Sequence, residues 1–295
     1  MNRILVLHGV GTSASMMQDQ LGPIARELGP CFEFVYLNGA IERTRGPGVS
    51  PFQPGPFYSY TNAYSPADIR DALDDLQHFI ETSGPFDGVL GFSQGASIAV
   101  AYLMDHQLRH PEAAPPFDFA VLFSSVASFS PDPASHESIV ASLVGTEEGR
   151  AAVENFPRGD FSTLPPKARI YTEHLALAYA VGREIGALTH DDDLAIFRSG
   201  DPNQVPRLLH PLLTPHRIRV PTVHVTGRAD LPAMLEQSRL VCELCDQSSA
   251  RVYRHDGGHS LPVKPKDVKA VVAAIDWAIS EGMHRRTVYR ALNRL

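Results

Sequence analysis

The sequence predicts an α/β fold built on a mainly parallel, doubly wound sheet. Three observations support that prediction. Short apolar runs alternate along the chain with longer helical patterns, most of the runs are unbroken, and the stretch at residues 65–82 reads as an amphipathic helix joining two of them.

The runs at residues 4–7, 32–37, 88–91, 119–123, 222–225 and 250–253 read as strands, and an unbroken apolar run suits a strand covered on both faces. Residues 65–82 open with Ser-Pro, carry Asp68 in the first turn and place Ile69, Leu73, Leu76 and Ile80 on one stripe, which predicts a crossover helix. Residues 96–106, 231–245 and 268–279 have comparable helical spacing. The rhythm breaks once, at residues 131–219, where helical pieces at 138–144 and 171–188 are separated by the joints Leu164-Pro165-Pro166 and Asp191-Asp192-Asp193. This segment predicts a helical lid, its ends close together, inserted between two core strands of a single domain spanning 1–295. Residues 46–60 are rich in glycine, proline and aromatics without periodicity and read as a loop.

With 43% hydrophobic and 20% charged residues the chain has the balance of a globular protein. A net charge of −7 without a basic stretch before the last dozen residues argues against nucleic acid or an anionic membrane as partner. Cys31, Cys242 and Cys245 form neither an even disulfide framework nor a zinc pattern, and they suit a reducing compartment, so a cytoplasmic location is expected. Cys242 and Cys245, three apart on one helical stripe, read as core residues. The run at 4–7 is too short for a signal-peptide core, and no segment approaches the roughly 20 apolar residues of a membrane span, so a soluble, unprocessed chain is expected.

Gly91-Phe92-Ser93-Gln94-Gly95 fits the G-x-S-x-G elbow of the α/β-hydrolase fold and has the required strand before it and helix after it. Ser97, Ser124 and Ser125 lack glycines on both sides and read as packing or loop residues. A serine hydroxyl is a weak nucleophile at neutral pH, so a base must take its proton and a carboxylate must hold that base in the right tautomer. In this fold they follow in the order Ser, Asp, His. Asp230 lies on the loop after the 222–225 strand and His259 on the loop after the 250–253 strand, so with Ser93 all three sit at carboxyl ends of strands, where ligands collect in open parallel sheets. His255 is a rival base but lies too close to its strand end. Asp256 is too near the histidine in sequence, and Asp191, Asp192 and Asp193 read as a solvated run.

The tetrahedral oxyanion needs pre-aimed N–H donors. Gln94, after the serine, is one, and the Leu7-His8-Gly9-Val10-Gly11 loop supplies the other, assigned to Val10 with Gly9 or Gly11 as alternatives. His8 reads as structural. The tail with Arg285, Arg286, Tyr289 and Arg290 is a basic amphipathic segment, read as a solvated terminal helix or frayed tail, with docking on a partner helix as the alternative.

Taken together, the Leu-His-Gly loop, the run Gly84-Pro85-Phe86-Asp87-Gly88 through Gly91-Phe92-Ser93-Gln94-Gly95-Ala96, the Thr226 to Asp230 loop and the His255 to Ser260 loop resemble the FSH-type serine hydrolase family over roughly residues 1–130 and 218–280. The resemblance implies the same three residues, Ser93, Asp230 and His259, and a carboxylesterase or a thioesterase that releases polyketide chains from an acyl carrier protein. Neither needs a metal or an organic cofactor. The long 131–219 segment departs from the family's compact form. Its aromatics Phe156, Phe161, Tyr171, Tyr179 and Phe197 either line a pocket for a long acyl group or form the lid's own core. An acyltransferase or cyclase using the same acyl-enzyme, and a non-catalytic binding module on the same fold, are the alternative functions.

Overall fold

The computed structural model describes residues 1–188 and 195–292, so the acidic joint of Asp191, Asp192 and Asp193 lies outside the described residues. In chain order the first half holds β1 (Asn2–Leu7), α1 (Ala14–Leu28), β2 (Phe32–Leu37), β3 (Ile41–Arg43), β4 (Phe57–Ser59), α2 (Pro66–Ser83), β5 (Gly88–Phe92), α3 (Gln94–Arg109) and β6 (Phe119–Phe123). The second half holds β7 (Phe129–Ser130), α4 (Glu137–Gly145), α5 (Glu147–Val153), α6 (Pro166–Glu184), β8 (Arg207–Leu208), β9 (Thr222–Gly227), α7 (Pro232–Glu243), β10 (Ala250–His255) and α8 (Pro265–Leu292).

Six strands form one sheet in the order β10-β9-β6-β5-β1-β2, and every pairing in it is parallel. β5 and β6 lie inside the sheet and are buried at every residue, which is why their sequences read as unbroken apolar runs. Alternate residues of β1, β2, β5 and β6 feed two cores, whereas the edge strand β10 is largely exposed. On one face Val6, Leu90, Val121 and Val223 meet α1 and α8 through Leu21 and Ile275. On the other, Leu5, Val89 and Leu122 meet α2, α3 and α7 through residues such as Ile69, Leu103 and Val241, with Cys245 just beyond α7 in the same core. α2 begins with a capping box in which Ser65 accepts from the Asp68 N–H and Asp68 accepts from the Ser65 N–H, so the Ser-Pro start is a true helix signal.

Between β6 and β9 the chain leaves the sheet and builds α4, α5 and α6. The antiparallel pair β7 and β8 brings the departing and returning strands together. Arg207 in β8 is buried to 2% exposure and donates to the carbonyls of Pro133, Pro202 and Val205 at 3.0, 2.8 and 2.6 Å. One side chain thereby satisfies three backbone acceptors at the root of the insertion.

Three local readings of the sequence are corrected. The stretch 46–60 contains β4, which pairs antiparallel with β3; three residues are too few to show a period of two. α6 starts at Pro166, because Pro165-Pro166 places a proline at the first helical position instead of breaking the helix, and it ends at Glu184, short of residue 188. Of the two readings of the terminal basic segment the helix holds and the frayed tail does not: it continues α8, but instead of being fully solvated it places Arg286 beside Asp87 at 3.1 Å and Asp118, and the Tyr289 hydroxyl donates to the Glu112 carbonyl at 2.6 Å.

Replacing Arg207 by methionine keeps much of the volume but leaves the three carbonyls without their donor, and is expected to destabilise the protein by about 3 kcal/mol. Urea unfolding of R207M checks this; a loss under about 1 kcal/mol would show that water replaces the guanidinium at no great penalty.

Candidate active site

Ser93 joins β5 to α3 with φ 53° and ψ −114°, a region where a residue with a side chain is strained. The surrounding chain leaves it no alternative. A Cβ on Gly91 would stand 2.5 Å from the Ala96 backbone, and one on Gly95 would stand 2.4 Å from the Leu7 carbonyl oxygen, so both positions are closed to larger residues. The turn therefore drives Ser93 to the head of α3, at the carboxyl end of the sheet.

Two further strand ends bring up the partners. A Cβ on Gly227 would meet the carbonyl oxygens of Gly258 and Gly257 at 2.1 and 2.2 Å, so the loops after β9 and β10 touch backbone to backbone. Arg228 N–H donates to the His255 carbonyl at 2.8 Å and Ala229 N–H to that of Gly257 at 3.0 Å, which locks the two loops in register. In that register the His259 Nδ1 lies 2.7 Å from Asp230 Oδ2, and its Nε2 lies 3.0 Å from Ser93 Oγ. The Asp230 carboxylate is 3% exposed and its second oxygen accepts the Leu231 N–H at 2.8 Å, whereas the imidazole is 28% exposed and packs against the Phe92 ring. Such a chain can draw a proton from the serine hydroxyl onto the imidazole while the carboxylate fixes the Nδ1–H tautomer.

Most of the rival residues have other partners, the exception being Ser124, whose buried hydroxyl has no hydrogen-bond partner among the described residues. His255 is buried, with Nδ1 accepting the Gly257 N–H at 3.0 Å, so it shapes the turn that leads to His259. Asp256 faces outward to Arg228, Lys264 and Lys266. Ser97 donates to the Ala127 carbonyl, and Ser125 to that of Val126.

The loop after β1 passes directly over the serine, since a Cβ on Gly9 would sit 3.0 Å from the Phe92 ring and 3.5 Å from the Ser93 Cβ. His8 holds this loop. Its Nε2 accepts the Gly39 N–H at 3.0 Å, which leaves Nδ1 to donate to the Gly9 carbonyl at 2.7 Å, and the Thr12 hydroxyl donates to the same carbonyl at 2.6 Å. Burial pushes the His8 imidazole down to about 4, so it stays neutral in this role. The Gly11 N–H is committed to the Tyr58 carbonyl, whereas those of Gly9, of Val10 and of Gln94, the first residue of α3, find no acceptor among the described residues. The Gln94 side chain is turned away, accepting from Tyr60 N–H and donating to Ser59 Oγ. The Tyr60 hydroxyl in turn accepts the His8 N–H and donates to Leu37. Sequence reading missed this Ser59 and Tyr60 support because it lies in the stretch without periodicity.

Ser93, His259, Val10 and Gln94 all border one cavity of about 760 Å³, its open mouth included. Its walls come from Phe129 after β6, from Ala178, Tyr179 and Gly182 of α6, and from Met234 of α7, and none of its described lining residues is Asp, Glu, Lys or Arg. Of the five insertion aromatics only Tyr179 lines it. Phe156 packs edge-on against Tyr179 and Phe197, and Phe161 and Tyr171 are buried in the core that continues from this face of the sheet. Gln237, also at the cavity, holds the wall by accepting the Ala127 N–H at 2.9 Å. Among the described residues no group of three or more His, Cys, Asp or Glu is placed to hold a metal ion. No helix of the described residues is long and apolar enough to cross a membrane.

Comparison with known proteins gives a consistent picture. The family profile described as serine hydrolase (FSH1) matches residues 1–271. The esterase alnB of Emericella nidulans is 42% identical over 280 residues, 95% of this chain and 97% of that protein. The hydrolase FUB4 of Fusarium oxysporum f. sp. lycopersici is 32% identical over 88% of this chain and 92% of its own length. The serine hydrolase cnsH of Penicillium expansum is 30% identical over 79% of this chain and 94% of its own.

His8 ties its neutral form to the folded state. Its pKa stands at about 4 when folded against 6.5 for an open chain, so between these values the unfolded chain binds the extra proton. The resulting stability is complete above pH 6.5 and lost as the pH falls toward 4. Urea midpoints across this window should decline in wild type, and His8→Asn should remove about one proton's worth of that slope; equal slopes in both would overturn the assignment.

Proposed function

Because the chain belongs to the serine hydrolase (FSH1) family, we propose that it cleaves an acyl ester or thioester through a covalent serine ester, with Ser93 as nucleophile, His259 as general base and Asp230 as its orienting acid. The observation that carries this reading is the continuous relay of 2.7 and 3.0 Å from Asp230 through His259 to Ser93, opening on an apolar cavity. Ser93 Oγ attacks the acyl carbon while His259 Nε2 takes its proton. The developing oxyanion lies against the N–H groups of Val10 and Gln94, which need no reorganisation to receive it. Collapse expels the alcohol or thiol, which leaves with the proton from His259. Water then attacks the acyl-enzyme by the same relay and the carboxylic acid departs.

In this reading residues 131–219 serve as a lid, because α6 supplies one wall of the cavity. The absence of a charged side chain from the described lining favours a neutral, apolar acyl group, and the resemblance of the chain suggests a polyketide or other long chain delivered as a thioester by an acyl carrier protein. The proposed setting is the cytoplasm, where the unpaired thiols Cys31, Cys242 and Cys245 persist.

A fluorophosphonate probe should label the wild-type enzyme and fail on Ser93→Ala, and S93A or H259A should lower kcat by about 10⁴ or more. Labelling that survives S93A in a folded protein would sink the assignment. With p-nitrophenyl esters and acyl thioesters, kcat/KM should rise by about tenfold or more from acetyl to medium-chain acyl groups as apolar surface enters the cavity. A profile that falls with chain length would reject the long-acyl reading.

A further inference from the structure

A second cavity lies at the opposite end of the sheet from Ser93. It spans about 1470 Å³ including its mouth and is walled by the last turn of α3, the loop before β6, the strand entry at 218–221 and the end of α8. Its base is apolar, with Phe86, Leu103, Ile218 and Val220 all buried, and Pro111, Pro115 and Pro116 stiffen one rim. Its polar groups are mostly basic. Arg285 is paired with Glu281, and Arg286 with Asp87 and Asp118. Arg219 is left as the lining cation without an ion pair among the described residues. Gln107 ties α3 to this strand by donating to the Arg217 carbonyl at 2.8 Å and accepting the Arg219 N–H at 3.2 Å, which brings Arg219 to the helix end that carries His106 and His110. Those two rings stand 5.1 Å apart, and neither ring has a hydrogen bond to another described residue. On a chain of net charge −7 this is a local concentration of unanswered donors over an apolar floor.

We propose that this cavity is a binding site for an amphipathic carboxylate, its apolar body on Phe86, Leu103 and Ile218 and its carboxylate held by Arg219, His106 and His110. The charge complementarity is direct: a carboxylate accepts from the guanidinium and from the imidazole N–H groups, and an uncharged lipid would leave them unanswered. Hydrolysis of an apolar acyl ester releases a compound of this class, although the site is argued from its own walls and stands apart from the chemistry at Ser93.

The test is photoaffinity labelling with decanoic acid carrying a diazirine at its far end, followed by peptide mapping. Cross-links are expected in peptides covering residues 103–116 or 282–289. Excess decanoate should compete with them, whereas decanol should not. Arg219→Glu, at an exposed position, should reduce these cross-links about fivefold or more and leave any at residues 126–129 or 178–188 of the first cavity unchanged. Cross-links confined to the first cavity, cross-links at 103–116 that persist in R219E, or equal competition by decanol would each overturn the proposal. Since none of these readings requires turnover, failure of the Ser93 assignment would leave the result interpretable.

Discussion

The close approach of α3 to the carboxyl end of β1 is the constraint on which the rest of the site depends. Gly95 lies so near the Leu7 and His8 carbonyls that no side chain fits between them, and two residues earlier Ser93 has a positive φ of 53°. The same contact places the β1 loop over the serine, so one steric requirement sets both the hydroxyl and the neighbouring N–H groups. Strain at Ser93 persists because the sheet on one side and α3 on the other leave the turn no relaxed alternative.

The site is held from behind by polar groups that are neutral at ordinary pH. His8, Thr12, Ser59, Tyr60 and Gln94 form a buried network whose hydrogen bonds run from β2 through the β1 loop to the head of α3. A charge in that network would be poorly solvated, and burial accordingly pushes His8 down and Tyr60 up. His259, in contrast, keeps access to the cavity, while Asp230 behind it is enclosed.

The insertion divides its labour between scaffold and wall. Arg207 closes its root, most of its aromatics pack into the core that continues from one face of the sheet, and the face of α6 that carries Ala178, Tyr179 and Gly182 is what a ligand beside Ser93 would meet.

The sequence by itself determined the strand and helix rhythm, the two-sided burial of the inner strands though not of the exposed edge strand β10, the elbow glycines around Ser93, and the strand-end positions of Asp230 and His259. These are local: periodicity, a five-residue turn and chain order depend only on near neighbours. The tertiary structure alone decided the distances among those three residues and the commitment of Gly11 N–H to Tyr58. It also showed that Tyr179, of the five insertion aromatics, faces the cavity, and that the basic tail docks on the protein's own body. Each of these depends on contacts between residues far apart in the chain, as Ser93 and His259 are, or on three-residue strands too short to leave a pattern. Such pairings are fixed by packing and by backbone hydrogen bonds that form only when the whole sheet is assembled.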